Sequence, residues 1–236
     1  MKIIKVVNPQ DGVQTCKDLL YEIVSKNSVL FLSGGSTPKT LYQELAKEKK
    51  LNVGAVAMVD ERYFTNLKLK TENLKLGTNE FMIKNTQLLL YLAKSNTKFY
   101  PILENEEIAE TVSDYDETVR FLFNYFGKSL AILGVGIDGH TAGIPAGIQN
   151  SKFKIQNETD LVTSFDNFPG DFKERITLTF LGLSKFDQII VMAFGKDKKK
   201  ALKLMLKSGS VTKIPARFLT QKEIIDKVIL ITDQSV

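Results

Sequence analysis

Short apolar runs of four to seven residues alternate along this chain with stretches of helical spacing. Val29–Leu32, Ala55–Val59, Ser129–Leu133, Ile176–Phe180, Gln188–Phe194 and Val228–Ile231 read as strands. Between them, residues 11–26 set Val13, Cys16, Leu19, Leu20, Ile23 and Val24 at helical spacing, the periodicity of a buried helix face. Residues 38–47, 105–126 and 197–206 read as further helices, and a polar stretch from Thr65 to Asn79 is expected to end in one. Alternation of this kind predicts an α/β fold, a mostly parallel Rossmann-like sheet with helices on both faces, in a single domain across residues 1–236. Ligands bind such sheets beyond the carboxyl ends of the strands. The loops that begin at Ser33, Asp60 and Gly134 all leave those ends, so they are expected to meet in one site.

The chain has one histidine, His140, in the turn Gly134-Val135-Gly136-Ile137-Asp138-Gly139-His140. Histidine is the side chain whose ordinary pKa suits proton transfer near neutrality. Here it stands two residues after Asp138, on glycine-rich backbone that a substrate can approach. Gly134 to Gly139 also fits the spacing of a dinucleotide-binding fingerprint, with Glu158 and Asp160 about 20 residues on. That fingerprint needs a helix to begin at the turn and hold the pyrophosphate. The following residues, Thr141-Ala142-Gly143-Ile144-Pro145-Ala146-Gly147, are poor helix formers, which argues against nicotinamide or flavin.

A second turn, Ser33-Gly34-Gly35-Ser36-Thr37-Pro38, joins a strand to a helix. Thr37 is expected to cap that helix, with Pro38 at its first position. Backbone N–H groups of Gly34, Gly35, Ser36 and Thr37, two hydroxyls and the helix dipole suit a phosphate. It is not a nucleoside-triphosphate loop, since Pro38 precedes the lysine where that motif has glycine. Asp60-Glu61-Arg62 ends a strand with three charges, which places Asp60 or Arg62 in the cleft. Arg175 and Lys198 are further cations near strand ends.

The net charge of +5 comes with lysines in short clusters interleaved with acids. Such clusters are solvated helix faces. They argue against a nucleic-acid partner and suit an anionic small molecule. A single cysteine, Cys16, rules out an internal disulfide and fits a reducing compartment. No apolar run approaches the roughly 20 residues of a membrane helix, and Met1–Val7, broken by Asn8-Pro9, is too short for a signal peptide. A cytoplasmic protein is expected, as a monomer or small homo-oligomer, with no membrane partner.

Taken in order, Ser33-Gly34-Gly35-Ser36-Thr37-Pro38, Asp60-Glu61-Arg62, Asp138-Gly139-His140-Thr141-Ala142, Arg175-Ile176-Thr177-Leu178-Thr179 and Gly195-Lys196-Asp197-Lys198 resemble the 6-phosphogluconolactonase family. That family is related to the glucosamine-6-phosphate deaminases, whose equivalent turn looks like Asp-Gly-His-Ile-Ala-Phe-Asn-Glu-Pro. The deaminase glutamate, which assists ring opening through the histidine, is Pro145 here. Two departures stand out. The proline after His140 comes early, so the loop after Gly143 is shortened, and of the family's Ser-Asn pair after Asp-Glu-Arg only Asn73 is present.

The resemblance implies hydrolysis of 6-phosphoglucono-1,5-lactone in the pentose phosphate pathway, with a small phosphosugar as the partner and neither cofactor nor metal. His140 would be general base and acid, Asp138 its orienting partner, and Arg62 with backbone N–H groups the oxyanion donors. The Gly34–Thr37 turn, Arg175 and Lys198 would hold the phosphate, with Asp60 and Asn73 also in the binding set. The alternatives are a glucosamine-6-phosphate deaminase or isomerase and a non-catalytic phosphosugar-binding protein.

Overall fold

The computed structural model describes residues 1–63, 78–103, 107–147, 159–169 and 172–236. Asn73, Glu158 and most of the Thr65–Asn79 stretch lie outside the described residues. In chain order the strands are β1 (Lys2–Lys5), β2 (Ser28–Leu32), β3 (Ala55–Met58), β4 (Asp60–Arg62), β5 (Lys98–Tyr100), β6 (Lys128–Gly134), β7 (Val162–Phe165), β8 (Arg175–Leu178), β9 (Gln188–Ala193) and β10 (Val228–Thr232). The described helices are α1 (Pro9–Ile23), α2 (Ser36–Glu48), α3 (Asn79–Asn85), α4 (Leu88–Lys94), α5 (Ile108–Tyr125), α6 (Phe180–Ser184) and α7 (Lys199–Leu206).

Seven strands form one parallel sheet in the order β1-β10-β9-β6-β2-β3-β5. Every residue of β2 and β3 is buried. Side chains alternate between faces along a strand, so full burial means that both faces are covered. Phe31 on β2 shows this packing, stacking on Phe123 of α5 and meeting Phe186 edge to face. The edge strand β1 is mostly exposed. Its two lysines hide it from an apolar pattern, and the backbone register with β10 makes it a strand.

The Asp60–Arg62 segment departs from expectation. It is not the polar end of a strand but a strand of its own, in a second, antiparallel sheet of order β4-β8-β7. Val59 hands the chain over: its N–H donates to Leu32 O, at 2.9 Å, and its carbonyl accepts from Leu178 N–H at 3.0 Å. The run from Arg175 therefore belongs to this small sheet and not to the parallel one.

The second departure concerns α2, which starts at Ser36 with Gly35 in the cap position and no side-chain cap. Gly35 has φ 104°, a conformation that costs a side chain energy and glycine almost none. Pro38 then falls inside the first turn, where its missing N–H leaves no helical bond unmade. On α1, Asn8 does cap, accepting from Asp11 N–H at 2.9 Å. Buried Lys17 of α1 and partly exposed Glu48 of α2 form an ion pair, which Tyr21 joins through its hydroxyl at 3.1 Å. Cys16 is fully buried on the same helix, a small core residue as its spacing implies. Among the described residues, no helix is long and apolar enough to cross a membrane.

The strand order reverses between β2 and β6. From β2 the chain moves through β3 to β5, and from β6 it moves the other way to β9. Loops after such a pair of strands diverge and leave a crevice at their carboxyl ends. The loops beginning at Ser33 and Gly134 are those two loops.

Candidate active site

A cleft of about 390 Å³ opens at this point, walled by the Ser33–Pro38 turn, the Gly134–His140 turn and the small sheet. Asp60, Arg62, Arg175 and Lys198 line it together with His140. Residues distant in sequence by up to 165 positions, from Ser33 to Lys198, thus share one wall-to-wall space. Asp138 faces it through the histidine. Of the candidate catalytic and phosphosugar-binding residues read from the sequence, only Asn73 has no described position.

The histidine turn is built by local bonds. Gly136 N–H donates to His140 O at 2.8 Å, Gly139 N–H to Gly136 O at 3.0 Å, and Thr141 Oγ1 to Gly134 O at 2.9 Å. Residues 141–147 form no helix; Thr141 and Ile144 form an isolated bridge instead. His140 Nδ1 lies 2.6 Å from Asp138 Oδ1, which also accepts the His140 backbone N–H at 3.1 Å. Burial works to raise the Asp138 carboxyl, but the hydrogen bonds and charge of His140 outweigh it and hold it below its ordinary value. An ionised carboxylate only accepts, so Nδ1 carries a proton and Nε2 is left for the substrate. Glycine at position 136 leaves room for this ring, since a Cβ there would stand 2.1 Å from His140 Nδ1.

The small sheet supplies the charges. Alternation puts Asp60 and Arg62 on one face of β4, and their partners in register on β8 are Thr177 and Arg175. Residues opposite each other on antiparallel strands project to the same side, so two guanidiniums and one carboxylate share the cleft face. Glu61 points the other way. Its carboxylate accepts from Arg62, Asn79 and Glu80 backbone N–H groups, each at 2.7 Å, and fastens the start of α3 to β4. Burial pushes Glu61 up to about 8, with those N–H bonds opposing.

Burial likewise raises Asp60, opposed by Arg175, His140, an Asn79 hydrogen bond and Arg62. Arg175 is only 8% exposed, and burial lowers its guanidinium to about 10 against the pull of Asp60. Its Nη1 and the Ser33 hydroxyl are buried with no hydrogen-bond partner among the described residues. Both residues line the cleft. A buried donor is ordinarily satisfied, so two orphans at one cleft are what an anionic, oxygen-rich ligand would complete.

Several residues of this site escaped the sequence reading. Asn79 Nδ2 donates to Asp60 Oδ2 and to Asp60 O, both at 3.1 Å. Its amide also lies so close to the phosphate-suited turn that a Cβ on Gly34 would stand 1.9 Å from Asn79 Oδ1. Thr78, which caps α3 by accepting from Phe81 N–H, was the only local signal. Thr177 Oγ1 accepts from Gly143 N–H at 2.9 Å and docks the histidine loop on the small sheet. Phe168 and Phe172 carried no signal at all.

The fold and cleft define an α/β protein with an aspartate–histidine pair beside a cleft lined by Arg62, Arg175 and Lys198. The chain belongs to the family of glucosamine-6-phosphate isomerases and 6-phosphogluconolactonase, whose model matches residues 12–229. Over 219 aligned residues it is 30% identical to a 6-phosphogluconolactonase of Thermotoga maritima, covering 90% of this chain and 88% of that one. Over 241 residues it is 27% identical to a glucosamine-6-phosphate deaminase of Streptococcus uberis, covering 99% and 97%. A solved 6-phosphogluconolactonase from Plasmodium vivax shares the fold, with a TM-score of 0.75 at 20% identity over 99% of this chain and 90% of that one.

Proposed function

We propose that this protein hydrolyses 6-phospho-D-glucono-1,5-lactone to 6-phospho-D-gluconate. One observation carries the choice within the family: Pro145, which is buried, stands where the deaminase pattern has its glutamate. The histidine keeps Asp138 as its hydrogen-bonded carboxylate, but position 145 offers none to assist opening of an amino sugar.

Lactone opening needs one proton carrier and a site for negative charge. Nε2 of His140 takes a proton from water as the hydroxide adds to C1. The carbonyl electrons move to oxygen, which faces Arg62 and backbone N–H groups of the glycine turn. Collapse of this intermediate breaks the bond from C1 to the ring oxygen, and the imidazolium returns its proton to that oxygen. Asp138 holds the ring and favours the imidazolium while it lasts. The Gly34–Thr37 turn, Arg175 and Lys198 hold the phosphate. That remote binding energy positions the carbonyl against Nε2. The site is expected to use no metal or cofactor.

The test is a coupled assay with freshly generated lactone, corrected for spontaneous opening, beside an ammonia-release assay with glucosamine 6-phosphate. Accelerated lactone opening without ammonia is the expected result. Ammonia release without lactone turnover would establish the deaminase reading, which the Streptococcus uberis relative favours. Binding of 6-phosphogluconate with neither activity would establish a non-catalytic binder.

A further inference from the structure

The loop that joins β7 to β8 carries two phenylalanines, and each lies against one of the two cleft arginines. The guanidinium carbon of Arg175 is 4.5 Å from the centre of the Phe168 ring, and that of Arg62 is 4.6 Å from the Phe172 ring. Phe168 also meets the His140 ring edge to face, with centroids 5.1 Å apart and planes at 76°. One ring therefore touches both the cation assigned to the phosphate and the base assigned to the proton. Phe168 is 8% exposed, and its N–H donates to Lys173 O at 3.0 Å, which closes the loop back toward β8.

This arrangement solves a specific difficulty. Arg62 and Arg175 stand opposite each other in the β4–β8 register, and like charges directly opposite repel. A carboxylate salt bridge would hold a guanidinium but would occupy the N–H edge that a phosphate or oxyanion needs. At Arg175 the face of Phe168 holds the plane of the guanidinium and leaves an N–H edge open. Arg175 Nη1, buried and without a hydrogen-bond partner among the described residues, is such an open edge.

We infer that Phe168 and Phe172 are positioning residues for the substrate: Phe168 sets the spacing between Arg175 and His140, and Phe172 aims Arg62 at the reacting carbonyl. This rests on the lactonase reading for its kinetic part, while the binding part stands without it.

The experiment compares Phe168→Leu, Phe172→Leu, Phe168→Tyr and Phe172→Tyr with the wild type by calorimetric binding of 6-phosphogluconate and by steady-state lactone hydrolysis. Phe168→Leu is expected to weaken 6-phosphogluconate binding and raise KM by about 5- to 10-fold, the size of a partly desolvated cation–π contact, and to lower kcat as well. Phe172→Leu is expected to lower kcat by about the same factor, with the binding constant unchanged. Each tyrosine variant is expected to restore wild-type behaviour. Thermal melts confirm that each variant is folded.

Wild-type binding and KM in folded Phe168→Leu would overturn the inference, as would tyrosine variants no better than leucine. A packing role alone would lower the melting point and the active fraction without moving the binding constant or KM. Should the wild type bind 6-phosphogluconate but leave the lactone unopened, the lactonase reading fails, and the kinetic role of Phe172 with it, while the Phe168 binding comparison still decides the role of Phe168. Absence of 6-phosphogluconate binding to the wild type would overturn both.

Discussion

Asp138 Oδ1 receives two bonds from one residue: the ring Nδ1 of His140 at 2.6 Å and the backbone N–H of the same histidine at 3.1 Å. The double contact fixes the ring against its own turn, so one nitrogen is committed to the carboxylate and the other to the cleft. His140→Asn is expected to reduce enzymatic lactone hydrolysis by about 10² or more. Asp138→Asn keeps the shape but removes the charge that favours the imidazolium, so kcat should fall with little change in KM. Spontaneous opening must be subtracted in both cases. Near-native rates in His140→Asn would remove this residue from the mechanism.

Gly136→Ala tests whether the dyad geometry depends on backbone space. The added Cβ would stand 2.1 Å from His140 Nδ1 and 2.6 Å from Asp138 Oδ1. The ring must rotate away. Activity should drop toward that of His140→Asn, while binding of 6-phosphogluconate, for which we propose the Gly34–Thr37 turn, Arg175 and Lys198, should change much less. Retained kcat would show that the turn can shift to accommodate the methyl group.

Stability should respond to pH through the two buried carboxyls of β4. Burial raises both Asp60 and Glu61, the latter to about 8. In the folded chain both bind protons more tightly than in the unfolded chain, so folding takes up protons above about pH 4, and through Glu61 it does so up to about pH 8. Stability from these groups is greatest at the acid end of that window and declines as pH rises toward 8. Asp138 and Glu48 work in the opposite sense: their lowered carboxyls lose stability as pH falls below the usual carboxylate range. Chemical denaturation at pH 5 and pH 8 reads the sign directly. Glu61→Gln should flatten the decline, and stability that rises from pH 5 to 8 would contradict the assignment.

Charge in the cleft should show in the salt dependence of catalysis. Arg62, Arg175 and Lys198 line it against the single described carboxylate Asp60. An anionic phosphosugar is drawn into such a cleft, and the attraction is screened as the Debye length contracts from about 30 Å at 0.01 M to about 10 Å at 0.1 M salt. The ratio kcat/KM should therefore fall several-fold over that range with kcat nearly constant. Lys198→Gln should raise KM by about 10-fold, as loss of one charged hydrogen bond would. A salt-independent kcat/KM would argue against an anionic substrate.

The inner strands of the parallel sheet were legible because they are buried on both faces and read as unbroken apolar runs, such as Val29–Leu32, whereas the exposed edge strands β1 and β5 carry no such run and were not. The two glycine turns were legible because they sit at the ends of those runs, where the fold places ligands. The small antiparallel sheet was not. Its strand β4 is three charged residues, Asp60-Glu61-Arg62, with no apolar pattern to mark it. Only the register with β8 turns those charges into a strand that aims two of them at the cleft and one into the interior. Asn79 was equally hidden, since its importance comes from Asp60 and Gly34, which lie 19 and 45 positions away.

By itself the sequence determined the alternation of strand and helix, the glycine turns and the lone histidine beside its aspartate, because periodicity, turn chemistry and short-range hydrogen bonds act between near neighbours. The tertiary structure decided which groups meet that histidine. Arg175 faces Arg62, Phe168 joins Arg175 to His140, and Asn79 ties Asp60 to the phosphate-suited turn only once long-range strand pairing and packing are in place. Those contacts depend on distances in space between residues far apart along the chain, and no local pattern encodes them.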